Sequence, residues 1–168
     1  MNLDRRRFIT WSAGGAMLLA LGDPLTAAGA EPAELSPWLR IAPDGSVTLI
    51  STVSDMGQGS RTGQAQVLAD ELDVPWETVR VEMAPDQEPY RLRGRINTGG
   101  SASIRTRWDM LRKAAATARA QLIAAGAARW GVPAAECEAE LGQVRHLKSG
   151  RALAYGDLVA EAAAIPPP

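Results

Sequence analysis

The sequence holds one cysteine, one histidine and one phenylalanine in 168 residues. A lone Cys137 makes no internal disulfide, and an iron–sulfur cluster needs several cysteines. With only His146 beside it, no His/Cys metal-ligand cluster is available. Charge of one sign is also missing: 18 basic residues face 19 acidic ones, a net of −1. That balance gives no electrostatic case for nucleic acid or for a charged membrane surface. Much of the 46% hydrophobic share is alanine. The apolar run WSAGGAMLLALG at 11–22 is too short to span a bilayer comfortably.

What the sequence does have begins at the N-terminus. Arg5-Arg6-Arg7-Phe8-Ile9 precedes that apolar run, and Ala28-Gly29-Ala30 comes after it. A basic region, an apolar region and a small-residue cleavage site make an export signal. The pattern resembles a twin-arginine signal, with Asp4 where serine or threonine is commoner. An ordinary secretion signal and a retained anchor are the alternatives. Export by this route implies a periplasmic protein that folds before transport, often around a cofactor, with no membrane span after cleavage. The expected organisation is a signal peptide at 1–30, a linker at 31–37, a domain at 38–165 and a Pro-rich end at 166–168.

Periodicity predicts an α/β layout with a mixed sheet and helices. Pro43-Asp44-Gly45 is turn chemistry between two apolar runs and reads as a hairpin. Ala65, Leu68, Ala69 and Leu72 fall on one helical face within 60–72, and Val79, Val81 and Met83 alternate in a strand over 78–84. A long helix is expected from about Ser103 to Arg129, with the stripe Ile104, Trp108, Leu111, Ala115, Ala118 and Leu122 and a cap from Ser101 or Ser103. Gly131-Val132-Pro133 should stop it. Two short strands around Gly142 and a short helix over 155–164 complete the pattern. Trp38, Trp76, Trp108 and Trp130 read as packing anchors, His146 as a surface or half-buried strand residue and Cys137 as a buried thiol.

Two glycine loops carry the candidate chemistry. Gly57-Gln58-Gly59 lies between a strand and a helix, with Ser60 and Thr62 next in the chain; Thr98-Gly99-Gly100-Ser101 precedes the second helix. Glycines let a ligand approach the main chain, and helix N-termini offer free N–H groups to phosphate. Gln58 brings a donor and an acceptor on one amide. No Gly-Lys-Ser/Thr comes after either loop, and Thr62 occupies the third-glycine position of a Gly-x-Gly-x-x-Gly motif. The RLRGR stretch at 91–95 could meet phosphate or a partner, or be a solvated loop.

MGQGSRTG at 56–63 and NTGGSAS at 97–103 resemble the two cofactor loops of the xanthine oxidase family of molybdenum hydroxylases. PWLRIAPDGSVTL, ADELDVPWETVRVEMAP and GQVRHLKSGRALAYGDLVAEAA extend the resemblance along the whole chain, to the large (beta) subunit of the isoquinoline 1-oxidoreductase-like branch and related periplasmic aldehyde dehydrogenases. The resemblance implies part of a molybdopterin-binding domain of the xanthine oxidase/aldehyde oxidoreductase type. It implies that Gly57, Gln58, Gly59 and Thr62 face a molybdopterin cytosine dinucleotide with its molybdenum, and that Thr98, Gly99, Gly100 and Ser101 help hold it.

The resemblance also implies [2Fe-2S] clusters on a separate small (alpha) subunit and a cytochrome or quinone acceptor. The whole enzyme would oxidise N-heterocycles or aldehydes with water-derived oxygen. Asp55 stands where that branch usually has glutamate, and Ala102 where many members have arginine. The late Gly-Val-Gly-Glu-type motif bearing the catalytic glutamate is missing, so no catalytic or metal-ligating residue is assigned. The expectation is an N-terminal segment of a large subunit, inactive alone. An exported non-catalytic remnant or a small interaction or nucleotide-binding module is the rival.

Overall fold

The computed structural model describes residues 32–91 and 94–168. The twin-arginine signal lies outside the described residues, as do Leu92 and Arg93 of the RLRGR stretch.

The hairpin forms as its turn residues require. Strand β2 (Leu39–Ile41) pairs antiparallel with β3 (Val47–Ser51), with Leu39 opposite Leu49 and Ile41 opposite Val47. The Ser46 amide donates to Asp44 Oδ1 at 2.9 Å, and Gly45 takes the left-handed φ of 83° that the turn needs. The 31–37 stretch expected to be a linker instead contains strand β1 (Ala33–Ser36), antiparallel to β2. Its Leu35 is buried and Glu34 exposed, the alternation of a half-buried strand, and pairing with β2 satisfies its backbone.

Helix α1 (Ser60–Leu72) buries Ala65, Leu68, Ala69 and Leu72 and returns the chain to β4 (Val79–Met83), which pairs parallel with β3. The order β1-β2-β3-β4 makes a mixed sheet. Met83, expected on the dry face of β4, is exposed. Helix α2 (Trp108–Trp130) buries Leu111, Ala115, Ala118, Leu122 and Ala125 in alternating steps of four and three and ends at left-handed Gly131.

Helix α2 begins five residues later than expected, and neither Ser101 nor Ser103 caps it. Gly100 and Ser101 adopt left-handed φ of 60° and 51°, and residues 103–107 form turns before the regular helix begins. Ile104 therefore precedes the helix and packs on Gly63, while Trp108 is 45% exposed. Trp76 is exposed as well, whereas Trp38 packs edge-on against Tyr90 and Trp130 lies under Arg151.

The C-terminal part adds one more strand than expected. Strands β5 (Cys137–Glu140), β6 (Gln143–His146) and β7 (Ala152–Ala154) form an antiparallel sheet, followed by helix α3 (Tyr155–Ala163). One apolar core joins β1–β3, all three helices, β5 and β6. His146 is buried, with Nδ1 2.7 Å from Ser149 Oγ and Nε2 3.1 Å from Glu136 Oε2. Cys137 is buried too, and burial raises its thiol pKa above the ordinary range.

Candidate functional site

Strand β3 ends at Ser51, and from there four polar side chains fix the path of the chain. The Ser51 hydroxyl donates to Gln64 Oε1 at 3.0 Å, and Gln64 Nε2 donates to the Ser103 carbonyl at 2.8 Å. Arg107 Nε donates to Thr52 Oγ1 at 2.7 Å, and its Nη2 reaches the Asn97 carbonyl at 3.4 Å. Ser51, Thr52, Gln64 and Arg107 are all buried. A buried polar group is costly unless bonded, so this paired set holds the first loop and the 97–107 segment in one geometry.

The loops also meet directly. The Ser54 amide donates to Thr98 Oγ1 at 2.8 Å. Thr98 thus joins the loops and keeps its hydroxyl proton to donate elsewhere. The sequence-predicted residues of both loops therefore belong to one surface. Gly57, Gln58 and Gly59 are exposed on the first loop, and Gly99, Gly100 and Ser101 on the second. Thr62 is exposed in the first turn of α1.

Gln58 is folded back onto its own loop. Its Nε2 donates to the Ser54 carbonyl at 3.0 Å and to Ser60 Oγ at 2.8 Å, and its Oε1 accepts from the Met56 amide at 2.6 Å. Both amide protons are engaged, so what Gln58 offers outward in this geometry is its remaining acceptor lone pair. Asp55 Oδ1 accepts from the Gly57 amide at 2.8 Å, a bond across two residues that its short side chain makes.

Gly59 is the left-handed N-cap of α1, and no side chain caps that end. The Ser60, Arg61 and Thr62 amides precede the first intrahelical bond, from Gly63 N to Gly59 O at 2.9 Å. They have no protein acceptor among the described residues. A Cβ on Gly57, Gly59, Gly99 or Gly100 would meet nothing within 4 Å. Main chain is therefore open to an incoming group along both loops.

Beside the second loop lies a pocket of about 530 Å³ lined by Arg95, Asn97, Gly99, Arg105 and Arg107. Sequence reasoning passed over Arg105, Arg107, Gln64 and Thr52. Gln64 carried a usable signal, a polar residue directly beside the apolar stripe of α1, one turn after Ser60. Arg107 carried none, because its partner Thr52 is 55 residues away. Burial lowers the pKa of the Arg107 guanidinium from its ordinary value. Among the described residues no group of three or more His, Cys, Asp or Glu side chains could hold a metal ion.

The arrangement can bind an anionic, multi-oxygen group along open main chain, with cations to one side. It offers no exposed acid–base pair at the loops. Residues 11–167 match the family model for the molybdopterin cofactor-binding domain. The chain is 35% identical over 173 residues to isoquinoline 1-oxidoreductase subunit beta of Brevundimonas diminuta, covering 95% of this chain and 22% of that one. It is 31% identical over 170 residues to the membrane-bound aldehyde dehydrogenase [pyrroloquinoline-quinone] of Gluconacetobacter polyoxogenes, covering 95% of this chain and 21% of the relative. The crystal structure of a Cu,Mo-CO dehydrogenase in its carbon monoxide reduced state superposes with a TM-score of 0.59 at 27% identity, over 71% of this chain and 15% of the other. The chain thus spans about a fifth of the length of these two relatives.

Proposed function

The chain belongs to the molybdopterin cofactor-binding domain family, and from that premise we propose that it is the N-terminal, cofactor-contacting segment of a molybdenum hydroxylase large subunit. The observation that carries this reading is the junction of the two glycine loops through Ser54 and Thr98, beside an uncapped helix start. The residues fit such a cofactor. Gly57, Gly59, Gly99 and Gly100 leave room for a flat ring system or a phosphate against main chain. The free amides of Ser60, Arg61 and Thr62 suit a pyrophosphate.

In this reading Gly57, Gln58, Gly59 and Thr62 face a molybdopterin cytosine dinucleotide, and Thr98, Gly99, Gly100 and Ser101 flank it. Gln58 braces its loop through Ser54, Met56 and Ser60 and presents an acceptor edge. The bound cofactor supplies two-electron oxidation with water-derived oxygen. This chain contributes binding and orientation. The catalytic glutamate belongs to the remainder of the large subunit, so the segment is inactive alone. The substrates are N-heterocycles of the isoquinoline type or aldehydes, and the names of the two relatives support those classes. [2Fe-2S] clusters on a small subunit, and a cytochrome or quinone beyond them, would be the electron acceptors. The relative named as a subunit beta supports a multi-subunit assembly. Arg5-Arg6-Arg7-Phe8-Ile9 supports twin-arginine export to the periplasm.

The test is to produce the chain with the remainder of its large subunit and the small subunit, then measure molybdenum and released cytidine nucleotide. Near-stoichiometric amounts of both are expected; a folded complex with neither contradicts the proposal. Replacing Arg5 and Arg6 by lysine should hold the product in the cytoplasm, and undiminished periplasmic product would overturn the export route.

A further inference from the structure

Strand β4 ends the mixed sheet, and among the described residues its only strand neighbour is β3. The Ala84 amide donates to the Ser51 carbonyl at 2.8 Å across that ladder. Backbone groups of successive strand residues point to opposite sides. Arg80, Glu82 and Ala84 therefore face β3, while Val79, Val81 and Met83 face the open edge. Two of those edge groups are engaged: the Val79 amide donates to the Trp76 carbonyl, and Arg61 Nη2 donates to the Val81 carbonyl at 3.2 Å. The Val81 and Met83 amides and the Val79 and Met83 carbonyls have no protein partner among the described residues. The Val81 carbonyl keeps a second lone pair. An open row of this kind is a template for a further strand.

The side chains say which strand fits. Strand β4 reads Val79-Arg80-Val81-Glu82-Met83, and in antiparallel register it complements itself. With Val81 opposite the Val81 of a second copy, Arg80 lies opposite the partner's Glu82 and Val79 opposite the partner's Met83, each twice by symmetry. Moving the centre by one residue, to Arg80 or to Glu82, sets like charges directly opposite, so charge selects this register. Arg80 is exposed and holds no carboxylate among the described residues, whereas Arg40 pairs with Glu82. Met83 is 46% exposed at the end of the row it shares with Val79 and Val81. Opposite a second Val79 that apolar side chain is covered.

We propose that the open edge of β4 is a self-association surface, which takes a second copy of this chain edge to edge and antiparallel about Val81. Two four-stranded sheets then run on as one. The two Val81 residues exchange amide-to-carbonyl bonds, and each Met83 amide donates to the partner's Val79 carbonyl. The contact is small for a stable interface, so the dimer is weak, with a Kd of about 0.1 mM. Nothing in this pairing depends on the cofactor.

The full chain is followed by sedimentation equilibrium up to about 0.5 mM, as wild type, as Arg80→Glu and as Glu82→Arg. Wild type should pass from monomer toward dimer. Each variant alone sets like charges opposite and should associate about tenfold more weakly. An equimolar mixture of the two variants restores both opposite-charge pairs and should associate as wild type does. That rescue separates strand pairing from misfolding, because one damaged chain repairs another only where the two strands meet. No wild-type dimer at about 0.5 mM, or no rescue in the mixture, overturns the proposal. The register is read by cross-linking: chains with Arg80→Cys mixed with chains with Glu82→Cys should join by a disulfide, and Arg80→Cys alone should not. A disulfide in Arg80→Cys alone overturns the register. Absence of the mixed disulfide in the assembled enzyme would mean that the rest of the large subunit covers the edge, and overturns the pairing there.

Discussion

A Cβ on Gly156 would lie 2.1 Å from the Pro43 carbonyl oxygen, and one on Gly126 would lie 2.8 Å from Val144 Cγ1. At Gly57, Gly59, Gly99 and Gly100 the same atom would meet nothing within 4 Å. In the region around α2, α3 and β6, glycine lets helices and strands of the protein approach one another. In the loop region it leaves main chain open. The surrounding chemistry divides the same way. Gly126 sits against Val144 and Leu158 of the apolar core, and Gly156 against the backbone of Pro43 and Gly45. The glycine loops are held by Ser51, Thr52, Gln64 and Arg107, buried polar groups that fix a geometry. One region is shaped by its own packing, and the other leaves main chain uncovered.

Substitutions should separate these two uses, and the largest effect belongs to Gly156→Ala. Its Cβ meets backbone that cannot rotate away, so unfolding in urea should show a loss of about 3 kcal/mol or more. A variant within error of wild type would mean that α3 does not pack on the β2–β3 turn as described. Gln64→Leu comes next. It leaves the Ser51 hydroxyl proton without an acceptor and the Ser103 carbonyl without its donor, and a loss of about 1–3 kcal/mol is expected from the same measurement.

Gly99→Ala should leave stability within about 0.5 kcal/mol, because its φ is ordinary and the space is empty. The effect should fall on cofactor retention, read as molybdenum per assembled complex. A destabilised Gly99→Ala would blur the distinction between the two regions.

The smallest effect concerns acid. Hydrogen bonds from Lys148 and then His146 hold the Glu136 carboxyl pKa below its ordinary value. The folded pKa is therefore depressed. The stability this gives is present above the unfolded carboxylate pKa of about 4.3 and is lost as pH falls through the folded value. Glu136→Gln should flatten that part of the acid stability profile and change little near neutrality. An unchanged profile would mean that Glu136 has no part in acid unfolding.

Much of this was legible in the sequence where local chemistry decides the outcome. The hairpin comes from Pro43-Asp44-Gly45, and α1 from the spacing of Ala65, Leu68, Ala69 and Leu72. The end of α2 comes from Gly131. Strand β1 was not legible, because four residues of apolar–polar alternation are too short a signal and the strand exists through pairing with β2. The start of α2 was hidden because the apolar spacing of Ile104 and Trp108 carries no sign of the long-range bonds from Gln64 to the Ser103 carbonyl and from Arg107 to Thr52 that hold the turns before it.

At the site, the glycines announced the loops. Thr98 reads as a ligand contact in sequence, yet the structure also gives it the bond that joins the loops. Gln58 reads as an outward-facing amide, yet its two protons are spent on Ser54 and Ser60. Neither fact can be read from residue type, since both depend on where the neighbouring loop lies.

That the joined loops form one cofactor platform is best tested by a metal measurement on a folded variant. Gly57→Val and Gly99→Val are introduced together into the assembled enzyme, and molybdenum and cytidine nucleotide per polypeptide are compared with wild type. An assembled complex with most of both lost is expected, since two branched side chains would fill the open main-chain surface. Wild-type amounts of molybdenum and nucleotide in that double variant would mean that the two loops are not the platform.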